Sequence, residues 1–179
     1  EFEHQPNLPT VKLHDFSGHE IGVATVLAGS FLGEEAQTKI FSPMVGAEIR
    51  LKPNQTLQLK LEGGFEHGIL AVEGEVQVAR TPLETSSLKY LEVGTESVQL
   101  LSGDAPVTLL LLGGKPFGER ILMWWNFIGR THADIAGARE LWNRHLETPD
   151  GLARFGVFED EIGGWIPAPE LPSVQLRAR

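Results

Sequence analysis

The chain has 179 residues, 41% apolar and 22% charged, the balance of a globular domain long enough to bury a core. A net charge of −9, from 15 basic and 24 acidic residues, argues against the clustered Lys and Arg surface that nucleic-acid phosphates require. The absence of cysteine excludes disulfides, zinc–thiolate sites, iron–sulfur clusters and thiol nucleophiles, and it fits a reducing cytoplasm, the expected location.

From Ile21 the sequence predicts short strands separated by turn residues. Ile21–Leu27 is apolar-rich, and Thr38–Phe41 precedes the break at Ser42-Pro43. Ala47–Leu51 alternates Glu48 and Arg50 with apolar neighbours before the turn at Lys52-Pro53-Asn54. Thr56–Leu61 sets Leu57, Leu59 and Leu61 on one face and Gln58 and Lys60 on the other, the period of a half-buried strand. Ile69–Val72 and Glu75–Ala79 flank Glu73-Gly74, which reads as a hairpin-type turn. Tyr90–Val93, Ser97–Leu101 and Val107–Leu112 complete the series, and the pattern is that of an all-β sandwich or barrel. The period then changes. Thr131 and Asp134 form a capping-box pair, and Ile135, Ala138, Leu141 and Trp142 share a face, predicting an amphipathic helix from Ala133 to about Leu146 that packs on the sheet. Thr148-Pro149-Asp150-Gly151 is read as its end. The tail, with Pro167, Pro169 and Pro172 beside Trp165 and Leu171, reads as an extended strap across the barrel.

Other chemistry finds little footing. Ser42, Ser86, Ser97 and Ser102 lie in no Gly-x-Ser-x-Gly elbow, and Gly63-Gly64 and Gly113-Gly114 lack the residues that cradle phosphate. Glu34-Glu35 and Glu159-Asp160-Glu161 read as solvated carboxylate runs, and Gly163-Gly164 as loop. His4, His14 and His19 fall in a loop-like, solvent-exposed lead-in. His132 and His145 stand in the first and last turns of the helix, where a cationic His145 would favour the helix dipole. No apolar run approaches the roughly 20 residues of a membrane helix, so no membrane contact is expected. The start at Glu1, with neither Met nor a signal-like stretch, leads us to expect a fragment of a longer protein.

Several segments together resemble the C-terminal half of the pirin family. They are Gly113-Gly114-Lys115-Pro116-Phe117-Gly118-Glu119, then Met123-Trp124-Trp125-Asn126-Phe127-Ile128-Gly129-Arg130 read as a strand, then the helix opening at Asp134-Ile135. Phe41 to Glu48, Phe65-Glu66-His67-Gly68-Ile69-Leu70 leading to Glu73-Gly74-Glu75, Phe155-Gly156 and Ile166-Pro167-Ala168-Pro169 add to the likeness; Glu170 stands where the family often has another proline. The resemblance implies a cupin-type β-barrel or jelly roll with one C-terminal α-helix and an extended tail. It implies a single domain over 1–179: lead-in 1–20, barrel 21–130, helix 131–147 and tail 148–179. Pirin-like proteins carry two such barrels in tandem; the first holds Fe(II) on three His and one Glu, and the second usually holds none. Flavonol (quercetin) dioxygenation is attributed to some members and transcriptional co-regulation to others.

The metal-binding pattern of that family can be laid on these residues. With Gly74 as the turn glycine, the position of the ligand Glu is His67, the paired His positions fall among Lys60, Leu61, Glu62 and Gly63, and Val107–Leu112 supplies no imidazole. No metal, no cofactor and no catalytic residue is therefore expected in this chain. His67 either lines the barrel mouth, bonded to Glu66, Glu62 or a backbone carbonyl, or contacts a small ligand in a vestigial pocket with Glu66 and Glu62. On an extended strand Trp124 and Asn126 would face one way and Trp125 the other. They either fill the seam between barrel and helix or present a surface to a partner. The expected function is a non-catalytic second cupin, a structural and interaction module for an iron-bearing N-terminal cupin. Homodimerisation and another protein partner are further expectations. The alternative is a small-molecule, flavonol-type dioxygenase domain that uses its own pocket.

Overall fold

The structure, a computed structural model, describes residues 4–157 and 165–177. The chain divides into two compact units, Glu1–Pro116 and Phe117–Arg179. The expected Glu159-Asp160-Glu161 and Gly163-Gly164 features lie outside the described residues.

The first unit is all β. Its strands are β1 (Thr10–His14), β2 (Glu20–Phe31), β3 (Glu34–Glu35), β4 (Met44–Leu51), β5 (Thr56–Lys60), β6 (Glu66–Glu73), β7 (Val76–Val78), β8 (Thr81–Leu83), β9 (Leu88–Leu91), β10 (Ser97–Ser102) and β11 (Val107–Gly114). One sheet runs β1-β2-β4-β11-β6-β9, with β3 paired to β2, and a second runs β5-β10-β7-β8; every pairing is antiparallel. The period-two pattern decides which faces meet. Ile49, Ile69, Leu109 and Leu111 point inward from the first sheet, and Leu57, Leu59, Val78 and Leu100 from the second, into one shared core. Gln58, Lys60, Gln77 and Gln99 alternate with them on the less buried face.

Three expectations need correction in this unit. The lead-in contains a strand, because Val11 and Leu13 turn inward while Thr10 and His14 stay exposed; β1 pairs with β2, although His4, His14 and His19 are exposed as expected. Asp15 Oδ1 accepts from the backbone N–H groups of Ser17 and His19 at 2.8 and 2.9 Å and turns the chain between them. Residues Thr38–Phe41 form no strand. Glu73-Gly74 is not a hairpin: β6 belongs to the first sheet and β7 to the second, so the chain crosses between sheets there. Gly74 makes the crossing at φ +81, where an added Cβ would lie 2.4 Å from the Pro106 carbonyl oxygen.

The second unit begins where the sequence still suggested barrel. Leu122–Trp124 (β12) and Phe127–Gly129 (β13) form a hairpin rather than one strand, with Trp124 opposite Phe127 and Trp125-Asn126 as a two-residue turn. Helix α1 spans His132–Asn143 with the predicted capping box: Thr131 Oγ1 accepts from the Asp134 N–H, and Asp134 Oδ2 accepts from the Thr131 N–H at 2.8 Å. The single-helix expectation is incomplete. Thr148 caps a second helix, α2 (Pro149–Phe155), with Pro149 at its first turn, where the missing N–H costs nothing. Leu122, Phe127, Ile135, Ala138 and Ala168 form this unit's core.

The tail is a strap along α1. Trp142 Nε1 donates to the Ile166 carbonyl at 2.8 Å, Asn143 exchanges hydrogen bonds with the Ala168 backbone, and Arg139 donates to the Pro169 carbonyl. His132 Nδ1 accepts from the Leu176 N–H at 3.1 Å. His145 lies just past the C-cap, fully buried and stacked on Trp142 at 4.8 Å, which corrects its assignment to the last turn of the helix.

Leu109, fully buried in the middle of β11, tests the barrel core. Leu109→Ala should lower unfolding stability by about 2–5 kcal/mol, measured by urea denaturation, because it removes contacts from both sheets.

Candidate functional site

The site candidate is built on the mouth of the barrel. His67, the second residue of β6, stands opposite Gly113 on β11 and Leu91 on β9. Alternation turns it inward, and it is only 2% exposed. The ring fits because β11 offers a glycine there. A Cβ on Gly113 would sit 2.5 Å from His67 Cδ2. Phe65 flanks the imidazole with ring centroids 6.1 Å apart and planes tilted by 36°.

His67 lines a cavity of about 220 Å³ with Phe31, Val45, Phe65 and Leu111 as apolar walls and Ser30, Lys60 and Glu62 as polar groups. Its Nδ1 is buried and, among the described residues, has no hydrogen-bond partner. Burial holds the imidazole pKa below its ordinary value, opposed by the negative charge of Glu62. The ring is thus a neutral, desolvated polar group facing largely hydrocarbon.

Of the trio expected here, the structure brings His67 and Glu62 to one cavity. Glu66 does not join them. As the preceding residue on the strand it takes the opposite face, where its Oε2 accepts from the Tyr90 hydroxyl at 2.6 Å. Among the described residues, His67 Nδ1 meets none of the partners expected to hold the ring, whether Glu66, Glu62 or a carbonyl. Glu62 instead accepts from the Gly64 N–H at 3.3 Å. Sequence reasoning missed the cavity walls Phe31 and Val45, which come from the far strands β2 and β4. Their inward period was the signal available. Among the described residues, no three His, Asp or Glu side chains gather as a metal cluster.

The Trp-Trp-Asn group belongs to the second unit's aromatic cluster. Trp125 lies 5.2 Å from Phe127 and 6.0 Å from Trp142, Trp124 is half-buried against the same core, and Asn126 is exposed on the turn. Trp125 adopts φ +50, a left-handed conformation that costs a bulky residue about 1–3 kcal/mol and is held by this packing. Trp125, Asn126, Phe127, Trp142, Arg154 and Phe155 border a groove of about 300 Å³. A wider groove of about 510 Å³ runs between β7, β8 and β10, past Val76, Pro82, Leu83 and Leu101, and shares no lining residue with the His67 cavity.

Two facing antiparallel sheets with the chain passing repeatedly between them, and a small cavity at the mouth, define a cupin-type jelly roll. The chain belongs to the pirin family: residues 46–146 match the Pirin C-terminal cupin domain. A Pseudomonas aeruginosa protein named "putative quercetin 2,3-dioxygenase" is 38% identical over 172 residues, 96% of this chain and 50% of that protein. A Caulobacter vibrioides "Pirin-like protein" is 27% identical over 147 residues, covering 82% of this chain and 47% of its own. The crystal structure of an Acinetobacter baumannii quercetin 2,3-dioxygenase superposes with a TM-score of 0.83 at 32% identity, over 99% of this chain and 55% of that one. The chain spans about half the length of the curated relatives it matches.

The depressed pKa of His67 sets a pH dependence with a definite sign. The unfolded imidazole takes a proton near pH 6.5, and the folded one resists it. Stability from the neutral ring is therefore fully present above about pH 6.5 and is lost as pH falls toward the lowered folded value. The urea midpoint should fall further between pH 7.5 and pH 5 in wild type than in a His67→Leu variant, because the variant lacks this loss.

Proposed function

We propose that this chain acts as the non-catalytic second cupin of a two-barrel pirin-like protein, a structural and interaction module that packs against an iron-bearing N-terminal cupin. The observation that carries this reading is the donor set at the barrel mouth. Among the described residues, His67 and Glu62 are the only side chains there of ligand type, set among Phe31, Val45, Phe65 and Leu111. A hard Fe(II) ion needs several converging N and O donors, and this pair does not fit it. The similarity to half of each curated relative supports a second half elsewhere in the parent protein. On this reading Fe(II) and any flavonol oxidation belong to the N-terminal barrel, and the parent works in the cytoplasm. The Trp125–Asn126 turn and its groove remain the candidate surface for a protein partner.

The His67 imidazole in the lining of the cavity, whose Nδ1 has no partner among the described residues, favours the alternative, a flavonol-type dioxygenase working in this barrel. Elemental analysis after incubation with Fe(II) and dialysis, with a quercetin-consumption assay on the same sample, decides between the two. The expected result is iron well below one equivalent and no turnover. Stoichiometric iron together with turnover would overturn the module reading.

A further inference from the structure

We infer that the aromatic groove of the second unit docks a short segment of a partner protein that presents an aromatic side chain beside a carboxylate. The inference rests on the reading of this chain as an interaction module and names the chemistry of the partner. The walls come first. Trp125, Phe127, Trp142 and Phe155 border the groove; Trp142 meets Phe155 edge to face at 5.1 Å, and Trp125 lies 6.0 Å from Trp142. A cavity of about 150 Å³ suffices for benzene, so the groove of about 300 Å³ takes one aromatic side chain and the start of its backbone. Small-molecule pockets bury most of their ligand, whereas this groove is rimmed by exposed Asn126 and by Ile128 at 65% exposure. A ring delivered from another protein's surface suits it better than a free molecule. Trp125 holds its left-handed φ of +50 at the edge, and strained residues of this kind gather at ligand clamps.

The polar requirement is set by Arg154. Among the described residues it is the one charged side chain in the lining, in a chain whose net charge is −9. Its guanidinium stands over the Phe155 ring, 5.5 Å from the centroid. A guanidinium over a ring keeps its planar N–H fork for a carboxylate, which it grips through two parallel hydrogen bonds. No carboxylate among the described residues forms an ion pair with Arg154. A partner's carboxylate completes the fork while the neighbouring ring fills the groove. Trp and Arg are also the residue types that carry most of the energy at protein interfaces.

The test titrates the isotope-labelled chain with the peptide acetyl-Gly-Phe-Glu-Gly-amide, read by NMR at the Trp125 and Trp142 indole N–H resonances. The peptide should shift both saturably. It should bind about fivefold more tightly than the same peptide with Gln in place of Glu, the gain expected of one exposed charge pair. With Ala in place of Phe, no saturable shift should remain. In Arg154→Met the Glu and Gln peptides should bind equally, with the Phe-dependent shift retained. No saturable shift with the first peptide, or equal affinity of the wild type for the Glu and Gln peptides, would overturn the proposal. So would phenylacetate binding as tightly as the peptide, which assigns the groove to a small molecule. Indole shifts that follow protein concentration alone would overturn it too, by assigning the groove to a second copy of the chain. Should Arg154→Met fail to fold, the wild-type comparison of the peptides still decides. The groove shares no lining residue with the His67 cavity, so the iron and turnover assay and this titration can fail separately.

Discussion

The barrel depends on β11. Val107, Leu109 and Leu111 point into the core at 1% exposure or less, and the same strand is hydrogen-bonded to β4 on one side and β6 on the other from end to end. A strand paired along both edges needs no side chain to satisfy its backbone, so its sequence can be almost wholly apolar. The outward residues Leu110 and Leu112 are accordingly leucines too, although Leu112 is 44% exposed. β4 and β6 both take their register from this strand.

The candidate site inherits its geometry from the same constraint. β11 ends in Gly113-Gly114, and the absence of a side chain at Gly113 is what leaves room for the His67 ring. The neutral state of the ring follows from that position, since burial outweighs the attraction of Glu62. The second unit is organised on a different principle. Its small core is dominated by aromatic packing around Trp142, and its helix is tied to the tail by hydrogen bonds from Arg139, Trp142 and Asn143.

Strands with clean alternation were legible in the sequence, and so was α1, whose capping box announced its start to within one residue. Features that depend on the partner strand were not. Nothing local in Glu73-Gly74 says that the next strand joins the other sheet, because a hairpin and a crossover use the same turn residues. The Trp-Trp-Asn-Phe segment looked extended because it contains none of the glycines that usually mark a two-residue turn; tertiary packing of Trp125 supplies what local propensity does not. At the site, His67 was identifiable as an imidazole near the mouth, but the lack of a partner for its Nδ1 among the described residues was not. Placing Glu66 beside it ignored the alternation that sends neighbours on a strand to opposite faces. The family resemblance read from the residues is the part of the functional reading that the comparisons bear out.

The crossing of the chain between sheets also governs how quickly this barrel can assemble. β4 and β11 are neighbours in space, yet β5 to β10 all lie between them in sequence, and β5 finds β10 across a similar gap. Such pairings must close long loops before any contact rewards the lost entropy, which places jelly rolls among the slow folders. The apolar β11 is among the last strands of the barrel to leave a ribosome, so the strands waiting for it stay unpaired at their edges for the longest time. Misfolding and self-association during synthesis, more than instability of the finished barrel, are where this topology is most exposed.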